Sequence, residues 1–240
     1  MWANVCQVGG EHGPWGASRA GDGDSYTVRF ADNNLDPATE QIEHDTPVVV
    51  LRKEHVVDTG GPGVHRGGAA HRKDTLFLSD AIHYSSPFRF KVPSGVGANG
   101  GDAGSTGAVW IFPAEGDDLR RDLVGTYPAA YLDSVPVAGV LDPDTKTLDS
   151  KHGKYHYFAT RQIWKTAAGA IFRYQTNGGG GWGTPRDRDP AKVLVDVRDE
   201  YVSIEAAARD YGVVIVGDPA SDPEGLSIDE AATATLRARA

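Results

Sequence analysis

At 240 residues the chain is long enough for one sizeable hydrophobic core or two modest ones. Its 30 glycines and 14 prolines cluster in loops without a repeating period, which argues against a collagen-like or disordered chain and for a loop-rich, strand-rich globular one. A net charge of −9 argues against a nucleic-acid or anionic-membrane surface, and no apolar run reaches the roughly 18 residues that span a bilayer.

The first residues lack a basic region followed by an apolar one, and the single cysteine, Cys6, cannot form an internal disulfide, so a cytoplasmic site is expected. Residues 1–24 carry six glycines, Trp2, Trp15 and Pro14 with little periodicity. Such a stretch is either a disordered tail or an irregular leader that hides its tryptophans against a partner subunit, and the second is the expectation carried forward.

Ser25-Tyr26-Thr27-Val28-Arg29-Phe30 alternates and reads as a half-buried strand. Residues 31–45 are polar and read as irregular, with a turn at Asp36-Pro37. Val48-Val49-Val50-Leu51 is a continuous apolar run, read as a fully buried strand that extends towards Val57. Asp58-Thr59-Gly60-Gly61-Pro62-Gly63 requires a tight turn with at least one residue at positive φ. The basic, glycine-punctuated run from Val64 to Arg72 leads into a strand at Thr75-Leu76-Phe77-Leu78; its glycines serve either a twisted β-corner or the close approach of an anion.

Further strands are expected at Ile82-His83-Tyr84, at residues 88–92 and at Val109-Trp110-Ile111-Phe112. A glycine-rich loop covers residues 96–107, with a hairpin-type turn at Asn99-Gly100-Gly101-Asp102. Residues 114–121 read as exposed, and residues 127–140 and 155–158 as strands with turns such as Leu141-Asp142-Pro143-Asp144 between them. His152 and His156 would share one face of a strand, but no Cys, Asp or Glu lies at metal-site spacing, so they read as surface or interface histidines.

Ile163-Trp164 and Ala170-Ile171-Phe172-Arg173-Tyr174 read as core strands leading into Gly178-Gly179-Gly180-Gly181. Asp189 is a good N-cap and Pro190 suits the first helical position, with Val193, Leu194, Val197 and Tyr201 on one face. Ser203 caps a second helix through Asp210, which Gly212 ends. A buried strand at residues 213–216, a polar linker at 218–225, and a Ser227/Glu230 capping box before an alanine-rich helix complete the chain. The fold class is α+β: a mostly β body with glycine-rich loops and helices clustered at the C-terminal end, divided into residues 1–24, 25–217 and 218–240.

The four glycines lack the Gly-Lys-Ser/Thr ending of a phosphate loop and the spacing of a dinucleotide site. They serve either as an anion nest or as a tight crossing between layers. No Gly-x-Ser-x-Gly elbow occurs and no histidine has an evident carboxylate relay. Arg186, Asp187, Arg188 and Asp189 alternate in sign, as in a solvated ion-pair lattice or a binding surface. The residues alone describe a soluble α+β domain without a complete catalytic set. His65, Arg66 and His71, with Gly178, Gly179, Gly180, Gly181 and Trp182, are the candidates for the wall of a substrate or subunit channel. No residue is assigned as catalytic or as a metal ligand.

Three blocks carry a resemblance to the hydantoinase B/oxoprolinase family, and specifically to its C-terminal part. They are Thr46-Pro47-Val48-Val49-Val50-Leu51 running into Asp58-Thr59-Gly60-Gly61-Pro62-Gly63-Val64-His65-Arg66-Gly67-Gly68, the segment from Arg173 through the four glycines to Val216, and Asp229-Glu230-Ala231-Ala232-Thr233. Within the family, Gly13-Pro14-Trp15-Gly16-Ala17-Ser18-Arg19-Ala20-Gly21-Asp22-Gly23, Glu40-Gln41-Ile42-Glu43-His44 and Leu51-Arg52-Lys53-Glu54 lean towards acetone and acetophenone carboxylases.

The resemblance implies one piece of a split, ATP-dependent multi-subunit enzyme that is inactive alone. Its partners would be a hydantoinase A-like ATP-binding subunit and the N-terminal half of a B-like subunit, in a hetero-oligomer acting on a small molecule. It implies no cofactor on this chain, with ATP, Mg and a divalent metal in partner subunits and bicarbonate used by a carboxylase. The alternatives are the opening of a cyclic amide (hydantoin, oxoproline or lactam) and a non-catalytic structural subunit.

Overall fold

A computed structural model describes residues 13–26, 38–84, 93, 95–115, 135–141, 156–159 and 163–238. Residues 27–30 of the first expected strand, the Asp36-Pro37 turn, the strand at 88–92, the Asp142-Pro143 turn, Trp2, Cys6 and His152 lie outside them.

The apolar and alternating runs pair into one six-stranded antiparallel sheet, in the order β1 (Val48–Val56), β2 (Ala70–Phe77), β8 (Ile171–Gln175), β4 (Ala108–Phe112), β5 (Val135–Leu141) and β6 (His156–Ala159). Two further strands, β3 (Ala81–Tyr84) and β7 (Ile163–Thr166), pair with each other outside it. One sheet face buries Val48, Phe77, Val109, Ile111 and Phe172, with Ile42 packed on them from the short helix α1 (Thr39–Asp45), which corrects the expectation of an irregular stretch there.

The expectation of a fully buried strand at 48–51 is corrected. Among the described residues β1 is the outer strand of the sheet, and it is only partly covered: Val48 is buried and Leu51 is 51% exposed. A bulge between Val50 and Arg52 re-aims the second half of the strand.

The helices gather at the C-terminal end as expected. They are α2 (Pro190–Arg198), α3 (Ile204–Tyr211) and α4 (Glu230–Ala238), with a two-stranded ribbon of β9 (Ile215–Val216) and β10 (Ser227–Ile228). Asp189 caps α2 by accepting from Ala191 N–H, Ser203 caps α3 by accepting from Ala206 N–H, and Gly212 ends α3 at φ 66°. Val193, Val197, Val202, Ala206, Ala207, Tyr211, Val213, Ile215 and Leu226 form a second hydrophobic core.

Two details differ from the sequence reading. The strand after Gly212 is only two residues long, and its Val216 is 54% exposed because it pairs on one edge alone. Ser227 is committed to that pairing, so Asp229 caps α4 in its place, accepting from Ala232 N–H. The Ser227/Glu230 box does not form.

Between the two cores runs a bundle of extended glycine segments. Residues 178–181 are its centre and are buried. Gly179 N–H donates to Gly68 O, Gly61 N–H to Gly179 O, Gly178 N–H to Ser105 O, Ala98 N–H to Gly181 O and Ala17 N–H to Gly180 O, at 2.7–3.0 Å. The central segment thus touches five others, from residues 15–17, 59–62, 66–68, 95–98 and 101–105.

A Cβ on any of the four central glycines would overlap neighbouring backbone, at Thr59 O, Trp15 O, Gly97 N and Pro62 O in turn. Of the two readings left open for this loop, the tight crossing is the one realised. The turns into the bundle match expectation: Asp58 sits at φ 62°, and Asn99-Gly100 at φ 49° and 92°, closed by Gly101 N–H to Ala98 O.

Candidate functional site

The basic segment after the first turn feeds Arg66 into a buried ionic junction between the bundle and the helices. Arg66 Nε donates to Asp196 Oδ1 at 2.9 Å, its Nη1 to Gly67 O, and its guanidinium lies 3.7 Å from the Tyr201 ring centroid. Arg188 completes the junction: Nε donates to Asp196 Oδ2, Nη1 and Nη2 to the two oxygens of Asp22 at 2.7 and 2.8 Å, and Nη1 also to Val64 O.

Asp22 in turn accepts from Arg66 N–H, so one acid ties residues 13–24 to the bundle and to the start of α2. Arg188 is 2% exposed. It is therefore no part of a solvated lattice, which corrects that reading of the alternating charges: the side chain turns inward because two carboxylates wait there.

Electrostatics follow this geometry. Burial works against the charge of Asp22, but the hydrogen bonds and charge of Arg188, with help from Arg66, outweigh it and hold the carboxyl below its ordinary value. Burial pushes Asp196 up, and the guanidinium groups of Arg188 and Arg66 pull it back. Burial likewise raises the Tyr211 phenol, beside Asp196, above its ordinary value. The junction is a fixed ion network suited to positioning.

A second cluster lies where β1 meets the α2–α3 corner. His55 and His71 are cross-strand partners with ring centroids 6.4 Å apart. Tyr26 stacks edge-on against His71 at 5.1 Å, Tyr201 faces His55 at 6.2 Å, and Lys53 Nζ lies 5.7 Å from the Tyr26 ring. A groove of about 450 Å³, lined by Glu54, His55, Val57, Asp199, Glu200 and Tyr201, opens on it.

Glu200, at φ 59°, and Asp58 fix the groove's rim; Asp58 N–H donates to Tyr201 O and its carboxylate accepts from Ser203 N–H. Burial, then the charge of Arg66, lowers the His55 imidazole, because both disfavour its protonated form, and this leaves it neutral near pH 7. Among the described residues no three His, Cys, Asp or Glu side chains converge as a metal site.

The residues picked from sequence are thus spread over three places. Arg66 is in the ionic junction, and His71 is buried in the aromatic cluster. His65 exchanges backbone hydrogen bonds with Trp182, their rings 5.9 Å apart at the bundle's end, and Gly178, Gly179, Gly180 and Gly181 lie inside the bundle.

Sequence reasoning missed Asp22, Arg188, Asp196, His55 and Tyr201. One signal was available: Asp196 falls on the same helical face as Val193 and Val197, and an acid on an apolar face calls for a buried partner.

Residues 13–24 contain an isolated Ser18–Gly21 bridge and no helix or longer strand. They hydrogen-bond to this chain's own bundle, while Trp15 is 56% exposed.

Comparison with known proteins places this architecture. The sequence profile described as hydantoinase B/oxoprolinase matches residues 2–185. The chain is 29% identical to the caprolactamase subunit beta of Pseudomonas jessenii over 201 residues, 83% of this chain and 27% of the relative. It is 27% identical to the acetone carboxylase alpha subunit of Xanthobacter autotrophicus over 238 residues, 93% of this chain and 28% of the relative.

The same fold is seen in the crystal structure of the ATP-dependent caprolactamase of P. jessenii, with TM-score 0.69, 24% identity and coverage of 98% of this chain and 34% of that one. It is also seen in the nucleotide-free structure of acetone carboxylase, with TM-score 0.68, 23% identity, 95% and 29%. The chain spans between a quarter and a third of the length of these relatives.

Proposed function

The chain belongs to the hydantoinase B/oxoprolinase family, and from that premise we propose that it is a subunit of an ATP-dependent multi-subunit ketone carboxylase of the acetone/acetophenone type. One observation carries the reading: the alignment with the acetone carboxylase alpha subunit runs over 93% of this chain, against 83% for caprolactamase subunit beta. In such an enzyme ATP converts the ketone to a phosphoenol, whose carbon then joins CO2 derived from bicarbonate.

A kinase-like A-type chain would handle ATP and Mg, and the remaining part of a B-type chain would hold the divalent metal. This chain supplies the glycine bundle as a rigid frame, and the neutral His55 with Tyr201 as polar groups at a groove.

The higher identity to caprolactamase subunit beta favours a second reading, in which ATP phosphorylates an amide oxygen before water opens a lactam or hydantoin ring. The two chemistries share one step, phosphorylation of a carbonyl oxygen by ATP: in the ketone it traps the enol, whose carbon takes CO2 as phosphate is released, and in the amide it makes the carbon open to attack by water.

The test is reconstitution with the A-type chain and the rest of the B-type chain. ATP hydrolysis stimulated by acetone or acetophenone together with bicarbonate is the expected result. Stimulation by caprolactam or a hydantoin, indifferent to bicarbonate, establishes the second reading. ATP-dependent turnover by this chain alone overturns both.

A further inference from the structure

Two asparagines of the chain precede a glycine, Asn99-Gly100 and Asn177-Gly178, and the fold treats them in opposite ways. An asparagine so placed carries its own reagent. The backbone nitrogen of the next residue can attack the side-chain Cγ and close a five-membered imide, and a following glycine puts no side chain in the way. Ring closure needs an attacking nitrogen not held by a hydrogen bond, a peptide free to turn, and access to water.

Asn99-Gly100 meets all three conditions. Both residues are exposed and occupy the two central positions of the turn from Ala98 to Gly101, at φ 49° and 92°. Among the described residues neither the Asn99 side chain nor the Gly100 N–H makes a hydrogen bond. One bond, from Gly101 N–H to Ala98 O at 2.9 Å, closes the turn and has to open for the peptide to rotate.

Asn177-Gly178 meets none of them. Gly178 is buried, its N–H donates to Ser105 O at 2.9 Å, and a Cβ there would fall 1.7 Å from Thr59 O. Asn177 Oδ1 accepts from Gly107 N–H. Turning this peptide takes the centre of the bundle apart. Asp22-Gly23, the acidic counterpart of these pairs, is held as well: Gly23 N–H donates to Arg66 O, and both Asp22 oxygens lie in the Arg188 fork.

We propose that Asn99 is a self-modification site, at which the folded chain loses ammonia and gains a carboxylate, and that the product loosens residues 95–98 from the glycine bundle. The Gly100 nitrogen bonds to Asn99 Cγ, the Cγ–Nδ2 bond breaks, and ammonia leaves with the proton from Gly100. Water then opens the imide, with no oxidation or reduction. Opening at Cγ gives aspartate and restores the ordinary backbone. Opening at the main-chain carbonyl, the more electrophilic of the two, gives isoaspartate, whose backbone runs through Cβ and Cγ and is one carbon longer.

That longer link stands beside Ala98, whose N–H donates to Gly181 O and whose carbonyl accepts from Gly183 N–H as well as from Gly101 N–H. A two-residue turn cannot absorb the extra atom, so the attachment of residues 95–98 to residues 181–183 weakens. The site lies within this chain and stands whichever reaction the assembled enzyme performs.

The experiment keeps the full chain folded at mildly alkaline pH for several days, with a parallel sample in urea, and follows the tryptic peptides carrying Asn99 and Asn177 by mass spectrometry. In the folded chain Asn99 is converted about tenfold faster than Asn177 or more, because the buried pair reacts only through rare openings. In urea the two convert at similar rates, since their local chemistry is the same. A protease that cuts before aspartate but not before isoaspartate separates the products. After conversion, hydrogen exchange quickens at Ala98, Gly101 and Gly183 and not at Gly61 or Gly68. Asn99→Gly, which suits the positive φ, shows neither change under the same incubation.

An Asn99 that keeps its amide in the folded chain while losing it in urea overturns the site. So does an Asn177 that converts equally fast when folded. Conversion of Asn99 with unchanged exchange at Ala98, Gly101 and Gly183 overturns the effect on the bundle alone.

Discussion

The glycine bundle and the C-terminal helical unit are both buried, and they are held by opposite means. In the helical unit, side-chain volume does the work: Val193, Ala207 and Val213 are fully enclosed, and caps at Asp189, Ser203 and Asp229 settle the helix ends. At the centre of the bundle, residues 178–181, there is no side-chain volume to bury. Backbone meets backbone, and cohesion comes from hydrogen bonds between segments far apart in the chain. A packed core relaxes partly around a missing methyl group, whereas the bundle has no room for an added one.

The sharpest way to break this contrast is a single methyl group. Gly178→Ala places a Cβ onto Thr59 O and is expected to cost at least about 3 kcal/mol, read as a drop in the urea midpoint or as loss of soluble protein. Gly21→Ala, which meets nothing within 4 Å, is expected to stay within about 0.5 kcal/mol.

The seam between the two regions comes next. Arg188→Ala leaves Asp196 with one arginine and Asp22 without its fork, and breaking such a buried pair costs about 3–5 kcal/mol. Protease sensitivity within residues 13–24 should rise alongside.

Within the helical unit the effects are smaller. Asp229→Ala removes the real cap of α4 for about 1 kcal/mol, while Ser227→Ala stays within about 0.5 kcal/mol. Equal losses from the two would restore the capping box.

The smallest effect is that of acid. The carboxyl of Asp22 sits below its ordinary value of 3.8 when folded, so its contribution is fully present above about pH 4 and is lost as pH falls through the depressed value. Wild type should therefore lose stability more steeply than Asp22→Asn below about pH 4. The difference is modest because the Asp22 side chain is 33% exposed.

The same contrast explains what was legible beforehand. Helices announce themselves locally: Asp189 before Pro190, and Ser203 before the helix that Gly212 ends, carry their own boundaries. Strands with apolar runs, such as Val109 to Phe112, did so as well. The bundle has no periodicity to read, since its partners are other backbones and glycine carries no pattern. The edge position of β1 and the inward turn of Arg188 were illegible for a related reason. Each depends on which distant segment arrives, and Asp22 and Arg188 are 166 residues apart. His55 and Tyr201 come together only because Asp58 pins the end of β1 to the α2–α3 corner.

That separation bears on how the chain is made. Residues 178–181 are the centre of the bundle, yet a ribosome delivers them last among its segments, long after residues 15–17, 59–68 and 95–105 have emerged. Until they arrive, the earlier glycine stretches have no axis to gather on and stay open to water and to chaperones. Assembly of this half of the molecule therefore waits until residues 178–181 have emerged, while the helices that follow close promptly behind it.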